Sequence, residues 1–222
     1  MKTLLLATQN AKKGRELAEL ARDRFLVRTL ADVGLADLEI VEDGATFADN
    51  ARITARAVKA ALPAPLARET AWVLADDSGL IVDALDGKPG VRSARFAADH
   101  GTGAGDEANN ALLLLLLAPV PDERRTARFA CAVCALSIVD DEAREAFGTV
   151  EGSIAHDLSG RGGFGYDPLF IPVAHAPQRM AELSAEQKHA ISHRGQAMRT
   201  VLAALGEAPA GSVFKRARAP GG

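Results

Sequence analysis

Short apolar runs alternate with amphipathic stretches along the chain. Residues 2–7 form a continuous apolar run, which predicts a buried strand, and residues 25–29 predict a second strand. Thr46-Phe47-Ala48-Asp49 matches a capping box, and the helix that it opens should extend to about Ala61, just before two prolines. This mixture of strands and helices predicts the α/β fold class.

The rest of the chain also alternates between predicted strands and helices. The predicted segments are a helix after Asn10, a strand at 72–75 that breaks at Asp76-Asp77-Ser78-Gly79 and resumes at Ile81-Val82, a loop at 86–105, a helix at 106–117, a hairpin of 126–139 with 144–150, a glycine-rich loop at 148–168, and two closing helices capped by Ser184 and Ser192. We expect a single domain over residues 1–206 and a flexible C-terminal tail over residues 207–222.

Composition favours a soluble globular protein. The chain has 222 residues, of which 48% are hydrophobic and 25% are charged, and this allows one sizeable core. A net charge of -3 offers no basic field, so no nucleic-acid partner is expected. The apolar run at 2–7 is too short for a secretory signal, and the leucine run 112–117 is too short to span a bilayer. We therefore expect a cytoplasmic protein with no membrane partner.

Cys131 and Cys134 form a C-x-x-C pattern inside an apolar, strand-like run. Side chains at positions i and i+3 of a strand point to opposite faces, so these thiols are poorly placed to share a metal ion or a disulfide. We expect two reduced cysteines in the core.

The first candidate for chemistry is the passage from the first strand into the following helix, at Thr8-Gln9-Asn10-Ala11-Lys12-Lys13. A helix N-terminus presents free N–H groups and the positive end of the helix dipole, which suit phosphate. Thr8 and Asn10 add side-chain donors, and Lys13 lies one turn into the helix. The alternative is that Asn10 only caps the helix and that both lysines are solvated. The Walker A pattern is absent.

Asp76 and Asp77 are the second candidate, because adjacent carboxylates beside a buried strand are unfavourable without a cation. Oxygen ligands of this kind suit Mg²⁺, and a carboxylate can also orient or deprotonate water. The alternative is a turn, which Asp, Ser and Gly all favour. Glu42 would supply a further carboxylate, although by itself it is typical of an acidic loop.

The segment from Gly160 to Pro168 formally matches G-x-G-x-x-G. No strand leads into it and no helix follows, which excludes a Rossmann dinucleotide motif. Phe164 and Tyr166 are suited to stacking on a base, and Asp167 is suited to accepting hydrogen bonds from the N–H edge of that base. A tight structural loop is the alternative.

Ser192 is predicted to cap a helix that carries His193 and Arg194 in its first turn. Cations are unfavourable there because of the helix dipole. This inversion indicates a partner rich in hydrogen-bond acceptors, such as a purine O6 or a phosphate.

Taken in order, these segments resemble the inosine/xanthosine triphosphate pyrophosphatase family, from Leu4 to about Leu205. Each motif is weak alone, and the order of all six within one domain carries the resemblance. The motifs are Ala7-Thr8-Gln9-Asn10-Ala11-Lys12-Lys13 with Glu16-Leu17, Thr46-Phe47-Ala48-Asp49-Asn50-Ala51, Ala75-Asp76-Asp77-Ser78-Gly79-Leu80, Pro89-Gly90-Val91-Arg92-Ser93-Ala94-Arg95-Phe96, Gly162-Gly163-Phe164-Gly165-Tyr166-Asp167-Pro168, and Lys188 with Ser192-His193-Arg194.

The resemblance implies an α/β fold of two lobes around an elongated mixed β-sheet with flanking helices, an active-site cleft between the lobes, and a homodimer. It implies Mg²⁺-dependent hydrolysis of non-standard purine nucleoside triphosphates (inosine, deoxyinosine and xanthosine triphosphates) to the monophosphate and pyrophosphate, which keeps these purines out of DNA and RNA.

The resemblance also implies roles by position. Glu42 and Asp77 would hold Mg²⁺ with Asp76 close by, and Asp77 would activate the attacking water. The residues that would bind the triphosphate are Thr8, Gln9, Asn10, Ala11, Lys12 and Lys13. The residues that would contact the rest of the substrate are Ser78, Phe164, Gly165, Tyr166, Asp167, Lys188, His193 and Arg194.

Two positions depart from the family pattern. Gln9 stands where the family usually has glycine, and Thr54 stands where it often has lysine. Loss of that lysine predicts weaker triphosphate binding. Two other functions stay open: a pyrophosphatase for other modified nucleotides, or a non-catalytic purine nucleotide sensor. The Ser-His-Arg and Phe-Gly-Tyr-Asp segments favour a purine site, and retention of both Asp76 and Asp77 favours catalysis.

Overall fold

The apolar runs of the chain form strands of one mixed sheet. The computed structural model describes residues 2–8, 18–21 and 24–206, and within them the strand order is β2-β1-β3-β4-β5-β6. The strands are β1 (Lys2–Leu6), β2 (Phe25–Thr29), β3 (Thr70–Val82), β4 (Thr126–Ser137), β5 (Ala143–Ile154) and β6 (Phe170–Pro172). β1 runs parallel to β2 and β3, and the remaining neighbours are antiparallel.

Helices cover both faces of this sheet. They are α1 (Phe47–Ala61), α2 (Ala64–Glu69), α3 (Phe96–Asp99), α4 (Gly105–Leu117), α5 (Ala185–Ile191) and α6 (His193–Gly206). Thr46 and Ser184 both cap their helices, because Thr46 Oγ1 accepts a hydrogen bond from Asp49 N and Ser184 Oγ accepts one from Gln187 N. The reciprocal bond of a capping box is present at Ser184, whose N–H donates to Gln187 Oε1, whereas the Asp49 carboxylate accepts from Thr46 Oγ1. Of the helix predicted after Asn10, residues 18–21 are described and are helical. Within the described part of the chain, no helix has the length and apolarity needed to cross a membrane.

Two cores lie on opposite faces of the first lobe. On one face, α1 packs against β1 and β3 in a core that includes Ala51, Val58 and Val73. On the other face, α6 packs in a core that includes Met198 and Leu74. Val73 and Leu74 are neighbours in β3 and enter different cores, because successive side chains of a strand point to opposite faces. Burying apolar area on both faces is the main stabilising contribution of this arrangement.

A further core lies at the far end of the sheet, where α4 packs against β3–β6. It includes Leu80, Leu113, Phe129 and Phe170. The long strands β3, β4 and β5 extend into both regions, so the sheet is elongated and carries two lobes. The predicted α/β fold of two lobes around an elongated mixed sheet is confirmed.

Arg125 ties α4 to the sheet of this second lobe. Its buried guanidinium donates to the carbonyls of Leu117, Ile154 and Ala155 at 2.7–2.8 Å. Burial lowers the pKa of Arg125, and the charge of Asp122 only partly opposes this effect. The charge of Arg125 is instead stabilised by carbonyl oxygens at the C-terminal end of α4 and the end of β5.

The break expected at residues 76–79 is wrong. β3 runs through them without interruption, and Asp76, Asp77, Ser78 and Gly79 pair with residues 130–133 of β4. Regular pairing with β4 satisfies the backbone here, and this outweighs the local turn preference of the Asp-Asp-Ser-Gly sequence.

Two predicted loops also contain regular structure. The segment 86–105 includes a 3₁₀ helix at Gly90–Arg95 and the short helix α3. The first part of the glycine-rich segment 148–168 belongs to β5, which continues to Ile154. Gly148 and Gly152 fit there because a side chain would collide with α6 or β6, at His193 O and Ile171 O.

The expectation for the cysteines is confirmed. Cys131 and Cys134 are both buried, and they lie in cores on opposite faces of the sheet. Burial raises the pKa of Cys134 to about 11, so this thiol stays protonated near neutral pH.

Candidate active site

An acidic cavity with a volume of about 600 Å³ lies beside the middle of β3. Thr8, Glu42, Asp76 and Asp77 line it together with Thr54 of α1. The structure therefore brings together predicted site residues from three separate segments of the sequence: Thr8, Glu42 and the Asp76-Asp77 pair. The predicted phosphate-binding residues Gln9, Asn10, Ala11, Lys12 and Lys13 lie outside the described residues.

The open edge of β3 explains why both aspartates border this cavity. β1 pairs with β3 only as far as Leu74, and Ala7 N donates to Leu74 O where β1 ends. Among the described residues, no strand pairs with this side of β3 between Leu74 and Ile81, where Pro89 forms an isolated bridge. Asp76 and Asp77 point to opposite faces of the sheet, and the cavity at the exposed edge reaches both.

Asp77 faces α1 and is held by two hydrogen bonds. Its Oδ2 accepts from Asn50 Nδ2 at 2.8 Å, and its Oδ1 accepts from Ser78 N at 2.8 Å. Burial raises the pKa of Asp77, and the charges of Glu42 and Asp76 raise it further against these two bonds. A carboxylate that can gain a proton and is fixed in orientation suits a general base.

Asn50 is a site residue that sequence reasoning missed. Its amide also accepts from Gly44 N at 2.8 Å, so one buried side chain joins the Glu42–Gly44 segment to Asp77. A signal was present in the sequence. Asn50 follows the N-cap Thr46 by one helical turn, and an asparagine on the apolar face of an amphipathic helix needs hydrogen-bond partners.

Thr54, which stands where the family often has lysine, orients Glu42. Thr54 is buried, and its Oγ1 donates to Glu42 Oε1 at 2.8 Å. The threonine thus adds no positive charge to the cavity and fixes one oxygen of the acidic group.

Arg194 links α6 to the middle of β3. Its Nε donates to Asp76 Oδ2 at 3.0 Å, and its Nη2 donates to Ser78 Oγ at 3.0 Å. The side chains of Asp76 and Arg194 are 1% and 13% exposed, so the pair is shielded from water. Arg194, the cation that the dipole of α6 disfavours, therefore finds hydrogen-bond acceptors within the protein itself, at Asp76 and Ser78.

A second cavity, of about 150 Å³, continues along β3 from the first. Its lining residues are Ser78, Gly79, Leu80, Ser93, Ala94, Asp106, Asn109, Phe129, Phe164, Gly165, Tyr166, Asp167, His193 and Arg194. Seven predicted substrate residues line this cavity, and Lys188 is bonded to one of them, Asp167. Phe164 is 66% exposed, so its ring is free to be covered by a flat ligand.

Asp167 and Lys188 form the polar end of the loop that carries Phe164. Lys188 Nζ lies 3.2 Å from Asp167 Oδ2, which also accepts from Phe164 N at 3.3 Å. Burial raises the pKa of Asp167, an effect that the charge of Lys188 only partly opposes. Gly163 has a φ of +86°, and a Cβ there would lie 1.9 Å from Asp167 Oδ2, so the loop requires glycine.

Tyr166 and His193 differ from Phe164 in exposure and contacts. Tyr166 is buried, and its hydroxyl donates to Ser93 O at 2.8 Å. Burial raises the pKa of Tyr166. The His193 ring stacks on Phe129 with centroids 5.3 Å apart. Of the two aromatic side chains predicted to stack on a base, Phe164 alone offers an exposed ring.

The acidic cavity fits a divalent cation at Glu42 and Asp77. These carboxylates come from different segments, are close enough for Glu42 to raise the pKa of Asp77, and each retains oxygen lone pairs. Asp76 is engaged by Arg194. Within the described ranges, no three His, Cys, Asp or Glu side chains group closely enough to hold a metal ion by themselves. A cation here would therefore need further oxygen ligands, such as those of phosphate.

The fold and these two cavities define an α/β protein whose cleft joins an acidic compartment to one with an exposed aromatic ring. The chain belongs to the Ham1 family, whose model matches residues 4–204. This membership confirms the resemblance that was inferred from the order of the six motifs.

Individual relatives agree with the family assignment. The chain is 44% identical over 216 residues to a dITP/XTP pyrophosphatase from Corynebacterium glutamicum, covering 94% of this chain and 99% of that protein. A HAM1 protein structure from Coxiella burnetii superposes with a TM-score of 0.80 at 37% identity, covering 94% of this chain and all of that one. The structure of a nucleoside-triphosphatase / dITP/XTP pyrophosphatase from Mycobacterium abscessus superposes with a TM-score of 0.70 at 42% identity, covering 92% of this chain and 98% of that one.

Proposed function

We propose that this protein hydrolyses non-standard purine nucleoside triphosphates, such as inosine, deoxyinosine and xanthosine triphosphates, to the monophosphate and pyrophosphate. The observation that carries the proposal is the sequence of cavities along β3. Asp76 and Asp77 border the acidic cavity, and Ser78 to Leu80 line the next one. A nucleoside triphosphate has the same division into a charged chain and a flat base. Relatives named dITP/XTP pyrophosphatases support this substrate class.

Asp77 is the proposed general base. Hydrolysis adds one water across the bond between the α- and β-phosphates, so a proton must leave that water as the bond breaks and pyrophosphate departs. The Asp77 carboxylate accepts this proton. Asn50 holds the carboxylate in one orientation, and burial makes it a better proton acceptor than an exposed aspartate.

Glu42 and Asp77 are the proposed holders of Mg²⁺. When bound, this ion would offset the negative charge that develops on pyrophosphate and make the attacking water more acidic. Thr54 keeps Glu42 turned toward α1 at the rim of the same cavity. Thr8, just beyond the end of β1, supplies a hydroxyl to the same cavity.

Recognition of the base is assigned to the second cavity. Phe164 would stack on the purine, while Lys188 and Arg194 donate to carbonyl oxygens and Asp167 accepts from ring N–H groups. Adenine presents an amino donor where these purines have a 6-keto acceptor, so it would leave buried donors unpaired. We also propose a homodimer, as the family resemblance implies, which light scattering after gel filtration would test.

The test is pyrophosphate release in the presence and absence of Mg²⁺ from inosine, xanthosine, guanosine, adenosine and cytidine triphosphates. We expect fast release from inosine and xanthosine triphosphates, dependence on Mg²⁺, and loss of turnover in Asp77→Asn. Release mainly from other bases would keep the chemistry and overturn the base pocket. Binding of inosine triphosphate without release would identify a sensor, and full turnover by Asp77→Asn would remove Asp77 as the base.

A further inference from the structure

The first turns of α4 hold the loop that carries Phe164. Asp106 Oδ2 accepts from Gly165 N at 2.6 Å, and Asn110 Nδ2 donates to Gly165 O at 2.9 Å. Asp106 and Asn110 are four residues apart and therefore lie on one face of the helix. Both backbone polar groups of Gly165 are thus bonded to side chains of a single helix.

These two hydrogen bonds matter because packing does not hold the Phe164 ring in place. The ring is mostly exposed, so its position follows from the backbone on either side of it. Gly165 has a φ of +60°, a left-handed conformation that glycine adopts without strain. A Cβ on Gly165 would meet no atom within 4 Å, so steric contact does not define this turn. The two hydrogen bonds from α4 hold it, together with the bond from Phe164 N to Asp167 Oδ2.

The same part of α4 also holds a second segment of the cavity lining. Asn109 is buried, its Oδ1 accepts from Ala97 N at 2.8 Å, and its Nδ2 donates to Ala94 O at 3.3 Å. Ala94 and Gly165 both line the cavity. The first turns of α4 therefore bond to two segments of the cavity in which the base would lie.

We propose that Asp106 and Asn110 are positioning residues for purine recognition, which hold the Gly165 peptide so that the Phe164 ring is placed to stack on the base. This inference rests on the proposed function, since it concerns the same cavity. It assigns the residues no contact with the reacting phosphates. Their loss should weaken base binding and leave the chemical step, at the other end of the cleft, nearly unchanged.

The variants are Asp106→Ala, Asn110→Leu and the conservative Asp106→Asn, with Glu107→Ala as the matched control. Asn110→Leu keeps the branching at Cγ and removes the buried Oδ1, which has no hydrogen-bond partner among the described residues. Glu107 is an exposed acidic neighbour outside the cavity lining. Three quantities are measured: KM and kcat for inosine triphosphate, the Kd of inosine monophosphate by calorimetry, and hydrogen exchange of the peptide spanning residues 160–168.

Loss of one hydrogen bond to Gly165 should raise both KM and the Kd of inosine monophosphate about 3- to 10-fold, with kcat changed less than about twofold. Exchange of the 160–168 peptide should accelerate in Asp106→Ala. Asp106→Asn should recover part of the lost affinity, because its amide oxygen still accepts from Gly165 N. Asp106 is exposed, so its replacement tests the inference even if Asn110→Leu fails to fold.

Several results would overturn the inference. Unchanged KM and Kd in both Asp106→Ala and Asn110→Leu would do so, as would a fall in kcat alone. An Asp106→Asn variant as weak as Asp106→Ala would assign the effect to charge. The proposed reaction can fail independently of this inference. A wild type that binds inosine monophosphate but releases no pyrophosphate would overturn the reaction, and the comparison of Kd values among the variants would remain valid. A wild type that does not bind inosine monophosphate would overturn both.

Discussion

Arg194 Nε lies 3.0 Å from Asp76 Oδ2, across 118 residues of chain. This contact joins the first turn of α6 to the middle of β3, where the acidic cavity meets the cavity around Phe164. The pair is nearly inaccessible to water, so removing either partner leaves a buried charge without one of its main contacts. Its effect on stability and on the site should therefore be large enough to measure.

A double-mutant cycle with Asp76→Asn and Arg194→Gln tests this pair. We expect each single variant to lower the free energy of unfolding, and the double variant to lose less than the sum, with a coupling energy of roughly 1–3 kcal/mol. Urea denaturation of the four proteins measures it. Additive losses would mean that the two side chains do not depend on each other.

Asn50→Ala should slow turnover. The variant removes the hydrogen bond that orients Asp77 and releases Gly44 N, so kcat should fall about 10- to 100-fold, the usual cost of removing a group that orients a metal ligand. Steady-state kinetics with inosine triphosphate measures this, and thermal unfolding checks that the variant is folded. An unchanged kcat in a folded variant would show that Ser78 N suffices to orient the carboxylate.

Thr54→Lys should tighten triphosphate binding. A lysine at this position would add a cation to a cavity lined by Glu42, Asp76 and Asp77, and we expect KM for inosine triphosphate to fall about 3- to 10-fold. Pairing with Glu42 would offset part of the gain. Thr54→Met is the control of similar length without charge. The prediction is wrong if KM is unchanged, or if Thr54→Met gives the same fall.

Asp167→Asn should weaken substrate binding and should raise the stability of the folded protein by an amount that depends on pH. Because the folded-state pKa of Asp167 is raised by burial, the wild type binds this proton more tightly when folded. The contribution of Asp167 to the free energy of unfolding is therefore favourable at low pH, and it is lost as pH rises through the folded-state pKa of this group. The variant has no such dependence, so it should gain stability over the wild type as pH rises above about 4, the usual pKa of an exposed aspartate.

The measurement for Asp167→Asn is urea unfolding of both proteins across that pH range, together with KM for inosine triphosphate. We expect KM to rise, since the acceptor for ring N–H groups is lost while the loop remains folded. A stability difference that does not change with pH would show that Lys188 compensates fully for the burial of the charge.

The secondary structure of this protein follows largely from local pattern. The strands at 2–6 and 25–29, the capped helix Phe47–Ala61, the helix at 105–117 and the hairpin were all predictable, because hydrophobic period and capping residues act over one or two turns. Several site residues, among them Asp77 and Asp167, were predictable because buried carboxylates and glycine-rich loops are unusual unless they serve a purpose.

Asn50 shows the limit of such prediction. Its hydrogen bonds to Asp77 and Gly44 depend on how α1 lies on β3, which no local pattern states. The same holds for the grip of Asp106 and Asn110 on Gly165, where residues more than fifty positions apart meet through the packing of α4 on the second lobe.

Residue type and short-range spacing were enough to predict most elements, the order of the motifs and the acidic and aromatic character of the candidate site. That β3 continues through Asp76 to Gly79, and that its adjacent aspartates have different partners, depended on tertiary packing. Pairing with β4 outweighed the turn preference, and strand alternation then turned Asp76 toward Arg194 and Asp77 toward Asn50. Long-range hydrogen bonds made that choice, because they form only once the helices are packed on the sheet.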